Sequence, residues 1–446
     1  MIRRSGMATA YLYGYSDLLI NLRHIPMKII WITNALLPEA NAKICGTKEL
    51  KGTGGWVPSL AMNICKHDDI QLYIAALSPL VKKITTVQGE SITHFAIPSV
   101  GDTTYHECYE EAYRKIFQEI QPDVVHIHGT EYPHTLAAVN GCGADRVCIS
   151  IQGLVGPYLP YYCDGLSHMD IIGSLTPAGI LRNGIINGYR DFQQRSKYER
   201  QAIAKVHHII GRTSWDSART WAINPEAQYH YGGEILRSDF YRDPKWHYND
   251  CAPHSIFLSQ AGIPLKGLHQ VLRAMPLVMR HFPDTTIRIA GADITRRNGG
   301  WKERMKLSDY GNIIRKMIKK FNLKDCVTFT GNLNAEEMKR EYLHSNVFIC
   351  PSSIENSPNS LAEAQILGVP VLASQVGGIP DMMQGDEEHL YRFEEVEMLA
   401  HKIVQLFEKQ DEIDTEPMRQ VALKRHNPEK IIEELIDTYK AVMDKH

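Results

Sequence analysis

The chain has 446 residues, 43% hydrophobic and 22% charged, with a formal net charge of −2. That length exceeds what one hydrophobic core organises, so two domains are expected. The near-neutral balance excludes wholesale nucleic-acid binding, and no apolar run reaches the ~20 residues of a membrane-spanning helix.

The nine cysteines form an odd set with no C-x-x-C, which reads as reduced, buried thiols in a cytoplasmic protein. At the start, Arg3 and Arg4 are followed by a run broken by Gly14, Tyr15 and Asp17, which argues against a signal peptide. "MKIIWITN" begins at Met27 and reads as a first strand, so residues 1–26 are expected to be a dispensable extension.

From there, strands are expected at 28–33, 71–77, 92–97, 123–128, 146–151 and 207–212, alternating with helical patterns. A second alternating series starts at "SIFLSQ" (255–260) and continues through "TIRIAG", "VTFTG", "VFICPS" and "VPVLAS". Between them "YGGEILRSDFYRDPKWHYNDCAPH" lacks periodicity and marks a boundary near 235–254. The pattern is that of an α/β protein with two doubly wound, parallel-sheet domains and a cleft between them. The last stretch, 428–444, is an amphipathic helix with Ile431, Ile432, Leu435, Ile436 and Tyr439 on one side.

Four stretches at turns carry chemistry. "KGTGGWVPSL" places Gly52, Gly54 and Gly55 before a helix; it is not G-x-G-x-x-G, so it reads as a phosphate approach or an ordinary turn. "DVVHIHGTEY" puts His126 and His128 on one side of a strand end; a zinc pair lacks a third ligand nearby, and one histidine as a polar contact is the better reading. "GIPLKGLHQV" sets Lys266 at a helix start, where a cation opposes the dipole unless an anion is bound. "HHIIGRTSWD" ends a strand in Arg212, which either forks onto a phosphate or pairs within the scaffold.

The fifth stretch, "PSSIENSPNSLAEAQILGVPVLAS" (351–374), reads as a strand-to-helix turn, with Ser357 as N-cap, Pro358 as first helical residue and Gly368 as the stop. Such a helix start attracts phosphate, and Asn359 and Glu363 share one helix face, so one ligand could meet both. The bland alternative is a capped helix with two solvated glutamates.

In their order and spacing, "GTGGW", "DVVHIHG", "IIGRTSWD", "SQAGIPLKG", "PSSIENSPNSLAEA" and "GVPVLASQVGGIPDMM" resemble the family 4 retaining glycosyltransferases of the GT-B fold, the glycosyltransferases group 1. The resemblance implies an acceptor domain at 27–235, a nucleotide-sugar domain at 255–427, and a terminal helix (428–446) packing back on the first. It implies transfer of a sugar from a nucleotide-diphosphate sugar to a hydroxyl of a glycan or lipid-linked acceptor, with retention and without a metal, in bacterial exopolysaccharide, capsule or lipopolysaccharide synthesis. Residue by residue, Glu363 is similar to the carboxylate that holds the ribose hydroxyls and Glu355 to the one near the donor sugar. Asn359, Ser360 and Leu361 would give backbone N–H groups to the diphosphate, Lys266 its counter-charge, His128 would face the transferred sugar, and Gly54 and Gly55 would close over the phosphates. Two departures stand out: Ser259-Gln260 replaces a usual Gly-Arg, for which Arg212 could compensate, and Asn356-Ser357-Pro358 replaces Gly-Phe-Gly. A nucleotide-sugar 2-epimerase of the same fold and a non-catalytic sugar-nucleotide sensor are the alternatives.

The segment 153–189 is long, apolar and rich in Gly, Pro and Tyr. It reads either as a mobile acceptor loop with peripheral contact to the inner face of the plasma membrane, or as an irregular insertion packed on the first domain.

Overall fold

The computed structural model describes residues 26–47, 55–296, 299–409 and 412–444. The proposed extension and Gly54 therefore lie outside the described residues, apart from Pro26.

Two sheets carry the chain. The first has eight described strands: β1 (Met27–Thr33), β2 (Ile70–Ser78), β3 (Thr85–Gln88), β4 (Thr93–Pro98), β5 (Val124–His128), β6 (Val147–Ser150), β7 (His208–Gly211) and β8 (Gln228–Tyr231). Their order is β3-β4-β2-β1-β5-β6-β7-β8, parallel except for the antiparallel β3–β4 pair. The second has six: β9 (Ser255–Leu258), β10 (Thr286–Ile289), β11 (Val327–Phe329), β12 (Val347–Cys350), β13 (Val371–Ser374) and β14 (Leu390–Tyr391), in the order β11-β10-β9-β12-β13-β14. The central strands are continuous runs of Ile, Val and Phe because helices cover both faces, which is the parallel-sheet arrangement expected. Strand order reverses direction at β1/β5 and at β9/β12, and the crevices outside the carboxyl ends of those strands are where open α/β sheets take ligands.

The Pro428–Met443 helix lies against the first sheet: Ile431, Ile432, Leu435, Tyr439 and Val442 pack with Ile29, Trp31 and Leu60. Tyr439 accepts a hydrogen bond from Trp31 Nε1 at 2.9 Å and its hydroxyl lies 2.8 Å from His126 Nδ1. All nine cysteines are free thiols.

The segment 153–189 is ordered, and only its start covers the first sheet, where Leu154 joins the core and the Gly153 N–H donates to Glu131. It forms short helices (Val155–Tyr158, His168–Ile172), a π-turn (Gly179–Asn183) and the start of the long Ile185–Ile203 helix, and it docks on the second half. Tyr162 and Ile185 join the core with Leu265 and Leu268. Thr176 donates its N–H to Asp309 at 2.8 Å and its hydroxyl to the Leu307 carbonyl at 2.7 Å. The Asp164 carbonyl sits 2.9 Å from His269 Nε2, and Asn312 donates to the Ser174 carbonyl at 3.1 Å. Polar groups of that irregular backbone would be orphaned on an apolar sheet face; the second half supplies their partners.

Candidate active site

The Asn359–Leu367 helix begins one residue later than Ser357 would dictate. Pro358 is its N-cap (φ −70°, ψ 120°) without a side-chain cap, and Gly368 (φ 78°) ends it. The Pro358 ring, which has no N–H to offer, moves the first free amides to Asn359 and Ser360, and neither has an acceptor among the described residues. Leu361 is a correction: its N–H already donates to the Pro358 carbonyl at 3.0 Å and its side chain is wholly buried, so it does not face the cleft.

The two glutamates flank that start and neither is solvated, which removes the bland alternative. Glu355 pairs with Lys266 Nζ at 2.5 Å and accepts the Ser352 hydroxyl at 2.8 Å. Two glycines make the pairing possible. Gly267 (φ +68°) follows Lys266, and a Cβ there would collide with the Pro351 carbonyl; Gly377 (φ +53°) lies as tightly on the Glu355 carbonyl. Lys266 is thus held over the end of β12 by a carboxylate of the same site. Glu363, 5% exposed, accepts from Arg237 Nη2 at 2.7 Å and Nε at 2.9 Å. Burial pushes its carboxyl up to about 7, with the Arg237 guanidinium pulling the other way.

These residues line one cleft of about 880 Å³ together with Gly55, Trp56, Ser259, Gln260, Asn359 and Ser360. The second half therefore contributes both carboxylates, Lys266 and the helix start, and the first half contributes Gly55 and Trp56. Arg237 is a residue that sequence reasoning missed. It lies in the aperiodic 231–254 stretch, 126 positions from Glu363, where no local pattern points to a partner.

Three other candidates sit differently. Arg212 pairs with Glu234 and donates to the Ile151 carbonyl, so of its two readings the scaffold pairing is the one observed. His126 has both ring nitrogens engaged, by Tyr439 and Ser150, which leaves no lone pair for a metal, and burial drives it down to about 3. His128 is 1% exposed, with no hydrogen-bond partner at either nitrogen among the described residues. Trp31 and Trp56 meet its ring edge-on, at 4.6 and 5.3 Å between centroids. Burial, with His126 and Arg212 adjacent, holds it neutral. His128 does not line the cleft; Trp56, which does, lies against it.

A second chamber of about 270 Å³ adjoins the first, sharing Trp56, Glu355, Pro358 and Asn359 with it. Its far wall is Glu131, Tyr158, Phe192 and Arg195, from the loop after β5, the insertion and the Ile185–Ile203 helix. Glu131 Oε1 accepts from the Gly153 N–H at 3.0 Å while Oε2 has no partner among the described residues, and burial raises its carboxyl. Apart from the cleft, Asp386, Glu388 and His389 are the one trio among the described residues with ligand atoms close enough for a cation.

Comparison with known proteins agrees with this geometry. Residues 253–441 match the family model described as "Glycosyl transferases group 1". The chain is 30% identical over 122 residues to the sulfoquinovosyl transferase SQD2 of Arabidopsis thaliana, covering 27% of this chain and 20% of the relative. It is 29% identical over 128 residues to the amylovoran biosynthesis glycosyltransferase AmsK of Erwinia amylovora, covering 26% of this chain and 31% of the relative. The chain thus spans less than a third of the length of these two curated relatives. Over the whole fold it is similar to the Anabaena protein HepE, solved with UDP and glucose, with a TM-score of 0.61, 13% identity, and 93% and 100% of the two chains covered. The two facing parallel-sheet halves are a GT-B fold, and residues 253–441 belong to the glycosyl transferases group 1 family.

Proposed function

We propose that this chain is a retaining glycosyltransferase that moves a sugar from a nucleotide-diphosphate sugar to a hydroxyl of a glycan or lipid-linked acceptor in bacterial surface-polysaccharide synthesis. The observation that carries this reading is the free helix start at Asn359–Ser360, set between two buried carboxylates, each already paired to a cation, on one cleft wall. The UDP held by the Anabaena protein supports the donor class, and polysaccharide enzymes among the relatives, such as the one from Erwinia amylovora, support the pathway.

In this mechanism Glu363, oriented by Arg237, accepts the ribose hydroxyls, and the Asn359 and Ser360 amides with Lys266 hold the diphosphate. Bond breaking at the anomeric carbon puts negative charge on the leaving oxygen, where preorganised donors stabilise it most. Lys266 and the helix dipole do this without a metal. A double displacement needs a free carboxylate behind the anomeric carbon. Glu355 is instead tied to Lys266 and Ser352, which favours front-face attack by the acceptor hydroxyl, its proton leaving to the departing phosphate. Tyr158, Phe192, Arg195 and Glu131 form the acceptor side, aromatic faces and a carboxylate being suited to a sugar.

Thermal shifts with a panel of nucleoside diphosphates and nucleotide sugars, with and without EDTA, test this on wild type and Glu363→Ala. A shift with one nucleotide sugar, indifferent to EDTA and lost in the variant, is expected. No shift with any of them overturns the reading.

A further inference from the structure

Away from the cleft, the insertion carries large apolar side chains that no core covers among the described residues. Met169 is 76% exposed, Ile172 64%, Ile180 66% and Leu181 77%. Nearby in the second half, Trp301 and Met305 are 72% and 58% exposed. The exposure does not come from loose chain. Lys316 Nζ donates to the Gly173 carbonyl at 2.5 Å, Asn312 to Ser174, and Thr176 to Leu307 and Asp309, so these segments are held against one another. Burying apolar surface is the main driving force of folding, and a fixed, uncovered cluster of this kind marks a contact surface.

Its charge says what the contact is. Lys302, Arg304 and Lys306 are exposed in the 301–306 turn, as are Arg315, Lys316 and Lys319 on the Asp309–Lys320 helix. The acids at this face are already engaged: Asp170 by Arg273 at 3.6 Å, Glu303 by Lys306 at 2.7 Å and Arg296 at 3.2 Å, and Asp293, which shares a concavity with Arg304, Arg315 and Lys319, by the Thr295 N–H at 2.9 Å. Arg304 and Lys319 have no acidic partner among the described residues. Apolar side chains beside unpaired cations are the signature of a surface that inserts into the acyl boundary while its cations meet lipid phosphates. Among the described residues no helix is long and apolar enough to cross a membrane, so contact here lies in the interface plane.

We propose that this face, formed by residues 169–181, the 301–306 turn and the exposed side of the Asp309–Lys320 helix, docks the protein on the surface of an anionic bilayer. It rests on the reading above for its purpose, the presentation of a lipid-linked acceptor. It also moves the membrane contact expected in 153–189 onto a composite surface shared with the second half.

The test is co-sedimentation of the full chain with vesicles of phosphatidylcholine alone or mixed with phosphatidylglycerol. Wild type is expected to pellet with the mixed vesicles, less so as salt is raised, and not with phosphatidylcholine. Ile180→Ser/Leu181→Ser and Arg304→Glu/Lys319→Glu are each expected to lose about tenfold or more in vesicle affinity. Both should keep the wild-type thermal shift with the nucleotide ligand, which shows that the fold and the cleft are intact. No pelleting of wild type, equal binding to both vesicles, or undiminished binding by both variants overturns the proposal. So does light scattering that shows a dimer split by the variants without any vesicle binding, which would make the face a contact between copies. Vesicle binding with no nucleotide shift in wild type supports the docking and overturns the transferase reading instead.

Discussion

Lys266 and Glu355 stand 2.5 Å apart with little solvent around either, and the pair has two separable effects. Removing one member of a buried pair leaves the other uncompensated and typically costs about 3–5 kcal/mol, while replacing both by neutral groups is close to neutral. Lys266→Met is therefore expected to lower the melting temperature more than Lys266→Met/Glu355→Gln does. Both variants should lose about 10²–10³ in turnover, because the charge at the leaving oxygen is gone in each. A double variant that recovered activity along with stability would assign Lys266 a purely structural role. At Glu363 the cation is Arg237, and Arg237→Ala is expected to remove the nucleotide-dependent thermal shift almost as fully as Glu363→Ala. The residues legible in the sequence are those whose role follows from local geometry: a helix start after a strand, a carboxylate one turn in, a lysine before a helix. Arg237 and Trp56 are not legible, because each acts through a partner distant in sequence, Glu363 and His128.

Among elements, the long Ile185–Ile203 helix fixes the first turn of the insertion through Glu199, with Tyr189 and Phe192 packed on Tyr162. Glu199 accepts the N–H groups of Val155 and Gly156, each at 2.8 Å, and the Thr130 hydroxyl at 3.0 Å. Burial nevertheless raises its carboxyl to about 7. A carboxyl raised in the fold binds its proton more tightly there than in the unfolded chain. Its contribution to stability is complete below about pH 4.5 and is lost as pH rises through about 7. Relative to Glu199→Gln, wild type should lose roughly 1.4 kcal/mol of unfolding free energy per pH unit within that window, read from urea midpoints. A flat difference would mean that Glu199 titrates normally. Most strands are legible because they are unbroken apolar runs. The exceptions have physical reasons: β3 (TTVQ) and β8 (QYHY) are polar edge strands, and β14 has only two residues. The docking of 153–189 is illegible for another reason, since its partners, Asp309 and Asn312, lie more than a hundred residues away.

For the whole molecule, the halves meet through polar clasps, one buried and one exposed, as well as the insertion. Asn356 accepts the Thr213 hydroxyl at 2.6 Å and donates to Asp216 at 2.8 Å, while Ser214 meets Asp381. Thr213→Val is expected to raise the dissociation rate of bound nucleotide several-fold in stopped-flow fluorescence, with small-angle scattering reporting a larger radius in the unliganded protein. An unchanged radius would show that the clasp does not govern opening. The insertion has a further consequence, for modularity. The matched family domain, 253–441, looks like a unit that could be excised or exchanged between relatives. Its core nevertheless contains Tyr162 and Ile185, and Oδ1 of its buried Asp309 accepts from the Thr176 N–H and hydroxyl. Expressed alone it would present an open apolar socket and an orphaned carboxylate, and is expected to be recovered as aggregate. A chimera that swaps the second half should fold only if residues 153–189 travel with it.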